Sequence, residues 1–436
     1  MNVRKLALDT LCKCESAAQY ANLALDAKIK KFNITGDDRS LFTLLVYGTI
    51  ERKLTLDYYI SLLSSLPDKK IDTETRNLLR LGLFQLIYTR MADHAAVNET
   101  VALAPMRSRG FVNAVLRGFL RKKDSLSLPS KSDDPCRALS VEYSFPEATV
   151  KKLIDTFGTD EAEEYMKALC VPPSVTLRAN TLRVSRDELI DRLKASGINA
   201  IPTALAPEGI RLAESVPYSE LEGSFSGLFF VQDEASQLAA AALDAQSGDT
   251  VIDMCACPGS KSFSAALHMK NEGRIMSFDI SKSKLPLISS GAERLGISII
   301  SPELHDGRAT DEALIGTADR IICDVPCSGF GVVAKKPDIR YKDISEASRL
   351  PEIQYDILSN AARYLKAFGT IVYSTCTVLP EENLALVEKF LRSHGGEFEL
   401  SPISAGNLGV PSGQITLLPH IHGTDGFFIC KLKRLG

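Results

Sequence analysis

No stretch of this 436-residue chain stays apolar for anything near the ~18 residues a membrane-spanning helix needs, so no membrane partner is expected. The opening segment, MNVRKLALDTLCKCE, has neither the apolar core nor the small-residue cleavage site of a secretory leader, and none is expected. Collagen-like, mucin-like and polyglutamine tracts are missing, as are internal repeats, which excludes fibres, stalks and solenoids. Ten cysteines without an export signal point to reduced thiols in the cytoplasm rather than a disulfide framework. What remains is an ordinary soluble composition, 45% hydrophobic and 24% charged, on a chain long enough for two or three domains.

The net charge of −3 hides an asymmetry, because residues 1–135 carry 21 Lys and Arg against 15 Asp and Glu. Residues 100–123 hold Arg107, Arg109, Arg117, Arg121, Lys122 and Lys123 with no acid among them. That run is either a phosphate-binding face or a solvated helix end whose cations suit the helix dipole.

Residues 1–123 read as helices, with Leu79, Leu83, Leu86 and Ile87 predicted on one helical face. Lys123–Pro135, rich in Ser, Pro and Asp, reads as a linker. The following stretch is mixed: PSVTLRANTL predicts a strand and RDELIDRLKAS a helix. From Thr250 onward, short apolar segments (TVIDM, GRIMSFD, ISII, DRIICD, TIVYS and late GFFICKL) alternate with helical ones. Such alternation predicts a parallel sheet with helices on both faces. The division expected is 1–125 all-α, 136–235 small α+β and 236–436 α/β.

Ligands of open α/β sheets lie beyond the carboxyl ends of the strands. The first strand ends in DMCACPGSKS, where a Pro-Gly turn entering a helix brings backbone N–H groups toward an anionic ligand. A phosphate loop is excluded, since Cys255 and Ser260 stand where that motif needs glycine. Asp279 at the second strand end is placed for ribose hydroxyls, and Asp306 after the third for a further ligand edge. The fourth strand ends in CDVPCSGFG and the fifth in YSTC, so Cys327 and Cys376 are expected to face one cleft beside Asp324. A cysteine there is either a small buried hydrophobe or a nucleophile. Zinc is not expected, because Cys255-x-Cys257 and Cys323-x3-Cys327 lack second pairs and nearby histidines. Pro380, Glu381 and Glu382 read as a helix start, with the acids facing its positive end.

DMCACPGSKS, DVPCSGFG, YSTCTVLPEEN and LLPHIHGTDGFFICKL together resemble the motifs of S-adenosylmethionine-dependent RNA 5-methylcytosine methyltransferases. YANLALD, LVYGTIERKLTLDY, LRLGLFQLIY, HAAVNETV and GFVNAVLR resemble the NusB-like RNA-binding bundle, and LRANTLR and VQDEASQL extend the likeness through the middle. The pairing is similar to the bacterial 16S ribosomal RNA cytosine-C5 methyltransferases. The resemblance implies an all-α NusB-like domain followed by a Rossmann-like methyltransferase domain, with a small α+β RNA-binding or linking domain before it. It implies S-adenosylmethionine as cofactor, no metal, and 16S ribosomal RNA, free or partly assembled, as partner of a monomer.

Residue by residue, the resemblance gives the methionine end of the cofactor to Cys255, Ala256, Cys257, Pro258, Gly259, Ser260 and Lys261. It gives the ribose to Asp279, the adenine edge to Asp306, and the border of cofactor and target base to Asp324. Cys376 becomes the nucleophile and Cys327 its helper in product release. The loop departs from the family's usual Cys-Ala-Ala-Pro-Gly-Gly-Lys-Thr at Cys257, Ser260 and Ser262, and Ala334 stands where a basic residue is common, with Lys335 and Lys336 following. Two other readings stay open: the same chemistry on transfer RNA, and a non-catalytic RNA-binding protein with a decayed methyltransferase domain.

Overall fold

The computed structural model of the chain describes residues 2–17, 20–214 and 216–436. It divides into two compact units, Met1–Val171 with Val333–Lys342, and Pro172–Val332 with Asp343–Gly436. The segment 136–235 is split between them: the helices Pro135–Tyr143, Glu147–Phe157 and Thr159–Ala168 belong to the first unit and the strands that follow to the second.

Among the described residues the first unit contains helices and no strand. Its axis is Thr73–Tyr88, capped by Asp72, whose carboxylate accepts the Thr75 N–H at 3.0 Å. The predicted face is too narrow for this helix. Leu79 and Leu83 are fully buried, but so are Leu78 and Leu81, while Leu86 and Ile87 are only half-buried. Neighbours enclose it, and Gly48 of the helix Gly36–Glu51 admits Phe84 where a Cβ would lie 2.0 Å from the ring. The buried Arg80 is held by both Asp57 oxygens at 2.7 Å and by Glu15 at 3.1 Å, which offsets the cost of burying its charge. The basic run lies on Met106–Lys122 and just beyond it, with all six cations exposed. After the turn Lys123–Ser125 the linker is irregular up to Asp134, which caps the next helix by accepting the Arg137 N–H.

Val333–Lys342 closes this unit. Arg340, fully buried, donates from Nη1 to the carbonyls of Glu51 (2.8 Å) and Tyr143 (3.0 Å) and from Nη2 to Leu169 (3.1 Å), over the Phe145 ring. Tyr341 adds an O–H bond to the Ile50 carbonyl.

The second unit opens with a small antiparallel sheet of β1 (Thr176–Ala179), β2 (Ala200–Pro202), β3 (Gly209–Leu212) and β4 (Phe229–Val231), in the order β2-β3-β1-β4. The strand expected across PSVTLRANTL stops at Ala179, because the Asn180 side chain accepts the Leu182 N–H and turns the chain.

The main sheet contains β5 (Thr250–Asp253), β6 (Arg274–Asp279), β7 (Ile300–Leu304), β8 (Ala318–Asp324) and β9 (Leu365–Thr375), all parallel. β10 (Phe398–Leu400), β13 (Gln414–Leu417) and β14 (Phe427–Arg434) add antiparallel pairs, giving the order β10-β14-β9-β8-β5-β6-β7 with β13 against β14; β11 (Ile403–Ala405) and β12 (Leu408–Val410) pair apart. Alternate residues feed the two faces. Val251 joins Ala235, Leu238 and Ala266, whereas Ile252 joins Leu358, Ala361 and Leu386. One strand differs from expectation. Ile297, predicted within ISII, instead caps the helix Leu285–Leu295, its N–H bonding the Ala292 carbonyl beyond the left-handed Gly296, so β7 begins at Ile300.

Arg340→Met takes the guanidinium donors from three carbonyls, leaving Leu169 without one, Glu51 with the Tyr341 O–H at 3.2 Å and Tyr143 with the Cys170 thiol at 3.9 Å. It should lower the stability of the helical unit by about 2–4 kcal/mol, seen as an earlier first step in thermal unfolding, with the second unit's step unmoved.

Candidate active site

β8 lies between β5 and β9, with Asp324 opposite Ser374 and Ile322 opposite Asp253, so three strands end side by side. Asp253, Asp324 and the residue after Thr375, Cys376, therefore emerge at one edge of the sheet, as the crevice rule requires.

The loop after β5 is tied to β6 by the Ala256 N–H on the Phe278 carbonyl (2.7 Å). Gly259, at φ +109°, leads into the helix Ser260–His268; a Cβ there would lie 2.6 Å from the Phe263 ring, so glycine is required twice over. Ser260 begins the helix, and its carbonyl accepts from Gln232. Cys257 reaches the Lys284 carbonyl, and burial pushes its thiol up; Cys255 is pushed up further by burial and the surrounding carboxylates.

Lys261 was read as part of the cofactor wrap. In the structure its ammonium, almost buried, pairs with Asp324 Oδ2 at 2.6 Å, lies 3.4 Å from Ser236 Oγ and sits over the Phe427 ring. Ser374 Oγ donates to the other Asp324 oxygen at 2.7 Å. Asp324 is thus held from both sides. Beneath it Asp253 is fully buried, accepting from Ser262 Oγ at 2.6 Å through Oδ2, while Oδ1 has no partner. Burial raises its carboxyl to about 7, with the Asp324 charge adding to the rise. The sequence reading gave Asp253 no role; its place as the last residue of β5 was the available signal.

Asp279 ends β6, and its Oδ1 accepts the Ser281 N–H at 2.8 Å. Asp306 follows β7, where Arg308 grips both carboxylate oxygens at 3.0 and 2.7 Å and holds it below the usual carboxylate range. Gly307 leaves room beside the Met254 carbonyl and Ile357, 3.4 Å from a notional Cβ. A helix N-terminus after Gly259 and the Asp279 carboxylate at the end of β6 are the kinds of group that fit a nucleoside bearing an amino-acid tail.

The two thiols meet. Cys327 Sγ and Cys376 Sγ are 3.0 Å apart, both half-buried. The hydrogen bond with Cys376, then burial and the charges of Glu382 and Asp324, hold the Cys327 thiol well above its usual range. The Cys376 N–H also donates to Cys327 Sγ at 3.2 Å, which favours charge on that sulfur. The Cys376 thiol, burial and two nearby carboxylates outweigh that single N–H bond. Cys327 therefore keeps its proton, and in its 3.0 Å contact with Cys376 either sulfur can be the donor.

One expectation fails here. Pro380–Glu382 form a separate short 3-10 turn, and the helix begins only at Leu384. Glu382 is fully buried and turned toward the Cys327 loop rather than toward a helix end. Sequence alone did not reveal this, since acids after a proline read equally as a first helical turn.

Comparison with known proteins gives a consistent picture. Residues 240–433 match the family model described as 16S rRNA methyltransferase RsmB/F, residues 1–121 the NusB family, and residues 145–219 the RsmF/B-like ferredoxin-like domain. The chain is 38% identical over 453 residues to a probable ribosomal RNA small subunit methyltransferase B of Bacillus subtilis, covering 100% of this chain and 99% of the relative. It resembles the crystal structure of PH0851 in fold, with TM-score 0.81 at 24% identity over 100% of this chain and 99% of that one. It also resembles a methyltransferase homolog protein from Pyrococcus horikoshii, with TM-score 0.61 at 26% identity over 69% of this chain and 99% of that one.

Between pH about 4 and about 7 the folded chain keeps an Asp253 proton that the unfolded chain has released, so this carboxyl's contribution to stability falls as pH rises through that window. Asp253→Asn should remove that loss. Its stability advantage over wild type should grow to the order of 4 kcal/mol by pH about 7 and then level off, measured by denaturant unfolding across pH.

Proposed function

The chain belongs to the 16S rRNA methyltransferase RsmB/F family, and from that premise we propose that it transfers a methyl group from S-adenosylmethionine to carbon 5 of a cytosine in 16S ribosomal RNA through a covalent adduct between Cys376 and carbon 6. The observation that carries this reading is the thiol pair, 3.0 Å apart at neighbouring strand ends, with Asp324 on the last residue of β8.

Carbon 5 of cytosine is a poor nucleophile within its conjugated ring. A thiolate adding at carbon 6 breaks the conjugation and makes carbon 5 enamine-like, which divides one hard step into easier ones. When bound, S-adenosylmethionine supplies a methyl group made electrophilic by its sulfonium. Cys376 forms the bond to carbon 6. Once carbon 5 has gained the methyl and given its proton to water, the electron pair freed from that carbon–hydrogen bond restores the ring double bond, and the carbon 6–sulfur bond breaks with its electrons returning to Cys376. Cys327, which keeps its proton, hydrogen-bonds the departing sulfur. Asp324, fixed by Lys261 and Ser374, borders the N3 edge, and as negative charge develops on N3 a proton relayed from the Lys261 ammonium through its carboxyl answers it. The cytosine must leave its stack to reach Cys376, at a cost of a few kcal/mol that is least in single-stranded RNA.

The three parts divide the labour. Residues 1–125 bind RNA through the exposed arginines of Met106–Lys122, residues 136–235 link and bind RNA, and residues 236–436 hold cofactor and thiols. Bisulfite sequencing of total RNA from a deletion strain tests the substrate: a cytosine lost from 16S ribosomal RNA supports the proposal, and one lost from transfer RNA replaces it.

Asp279→Ala should weaken S-adenosylmethionine binding on the order of ten- to a hundredfold by calorimetry, since hydrogen bonds to a charged group contribute roughly 1.5–3 kcal/mol. Unchanged affinity would remove Asp279 from the site.

Cys376→Ala should abolish methylation and leave no covalent RNA complex. Cys327→Ala should attack, transfer the methyl and then stall, carrying RNA through a denaturing gel as a slow band that protease removes. The opposite pattern would exchange the two roles.

A further inference from the structure

One dipeptide touches both sides of both thiols. The Glu382 carboxylate accepts the Ser328 N–H at 2.9 Å and Gln354 Nε2 at 2.8 Å; the same Gln354 nitrogen donates to the Pro326 carbonyl at 2.9 Å. Residues 326 and 328, which flank Cys327, are thereby fixed. Asn383 does the same for Cys376: its Oδ1 accepts from Thr375 Oγ1 at 2.6 Å, and its Nδ2 donates to the Thr377 carbonyl at 3.0 Å. The turn carrying both residues is pinned by Tyr373, whose O–H donates to the Glu382 carbonyl at 2.6 Å, and Ser328 Oγ bonds Thr377 Oγ1 to join the two loops.

We propose that Glu382 and Asn383 are positioning residues with separate duties, Glu382 fixing Cys327 for the release step and Asn383 fixing Cys376 for attack, a division that rests on the covalent reading above. Glu382 is placed to do more than brace a loop. It is fully buried, and its Oε2 accepts both N–H groups while its Oε1 has no partner, so a neutral amide in the same place would keep both bonds and remove only the charge. A structural brace needs no charge at that cost. The groups that face Cys327 are Cys376, Asp324, Tyr373 and Glu382, and Glu381 faces Glu382 in turn. Among them Glu382 and Asp324 bring negative charge, which adds to the Cys376 hydrogen bond and burial in keeping the proton on Cys327. In release, the Cys376–carbon 6 bond breaks, its electron pair returns to sulfur, and the Cys327 S–H hydrogen-bonds that sulfur.

The test compares Glu382→Gln, Asn383→Ala and wild type at equal S-adenosylmethionine affinity, checked by calorimetry. Glu382→Gln should form the adduct at the wild-type rate and resolve it roughly tenfold more slowly, so the protease-sensitive RNA band accumulates and kcat falls with KM little changed. Asn383→Ala should lose adduct formation itself. Without RNA, alkylation by iodoacetamide followed by mass spectrometry should show the pH midpoint of Cys327 falling in Glu382→Gln, since a nearby negative charge has gone. This last readout does not depend on the methylation chemistry. If wild type forms no adduct, the covalent reading fails while the alkylation shift still judges Glu382. If wild type forms the adduct but Glu382→Gln neither accumulates it nor shifts Cys327, the proposal is overturned. Should Glu382→Gln not fold, Gln354→Met, which frees Pro326 and one Glu382 bond, must give the same accumulation or the proposal falls.

Discussion

The register of β8 between β5 and β9 is the constraint on which the site depends. Parallel pairing fixes Asp324 beside Ser374 and brings Asp253 to the same edge, so a one-residue slip would turn every one of these side chains to the opposite face. The two cores hold that register from both sides, since Ile321 and Ile322 enter different faces of the sheet and each is fully buried. The loops need only short reach from there. Chemistry carried on strand ends inherits the rigidity of the sheet, which suits a reaction between two sulfurs and one pyrimidine edge.

Charge explains the second layer. Burial raises the proton affinity of Asp253 and of Glu382, and a neighbouring charge adds to the rise in each case, Asp324 beside Asp253 and Glu381 beside Glu382. Lys261 answers part of this by pairing with Asp324, and the serines at 262 and 374 supply hydroxyl donors. Two carboxylates in one pocket thus differ in kind. Asp324 is ion-paired at the surface of the crevice, and Asp253 lies beneath it with its proton shared toward neutral pH.

Much of this was legible in the sequence, for identifiable reasons. The alternation of short apolar strands with helices gave the parallel sheet, and the polar residues ending those strands named Asp279, Asp324, Cys327 and Cys376 as neighbours of one crevice. What escaped was whatever depends on partners distant in sequence. Lys261 sits in a loop motif, and nothing local says that it turns to a carboxylate 63 positions away. Glu382 follows a proline and so looked like a helix start, although its partners Ser328 and Gln354 lie on other elements. Ile297 satisfied a strand pattern and was taken by a helix cap. The enclosed helix Thr73–Tyr88 showed one apolar face because periodicity counts residues and not the neighbours that surround them.

The strap Val333–Lys342 has a consequence for how the chain is made. Arg340 bonds carbonyls of three separate helical segments of the first unit, yet it lies more than 160 positions beyond that unit's last helix. A ribosome delivers the chain from its amino end, and compact units usually complete themselves as they emerge. Here the first unit stays without its closing segment until most of the second has been synthesised. Its three carbonyls meet water in the meantime. Final closure of the amino-terminal helices therefore waits on the strand end that carries Asp324 and Cys327, and a fragment cut at the boundary between the units would lack the strap that completes it.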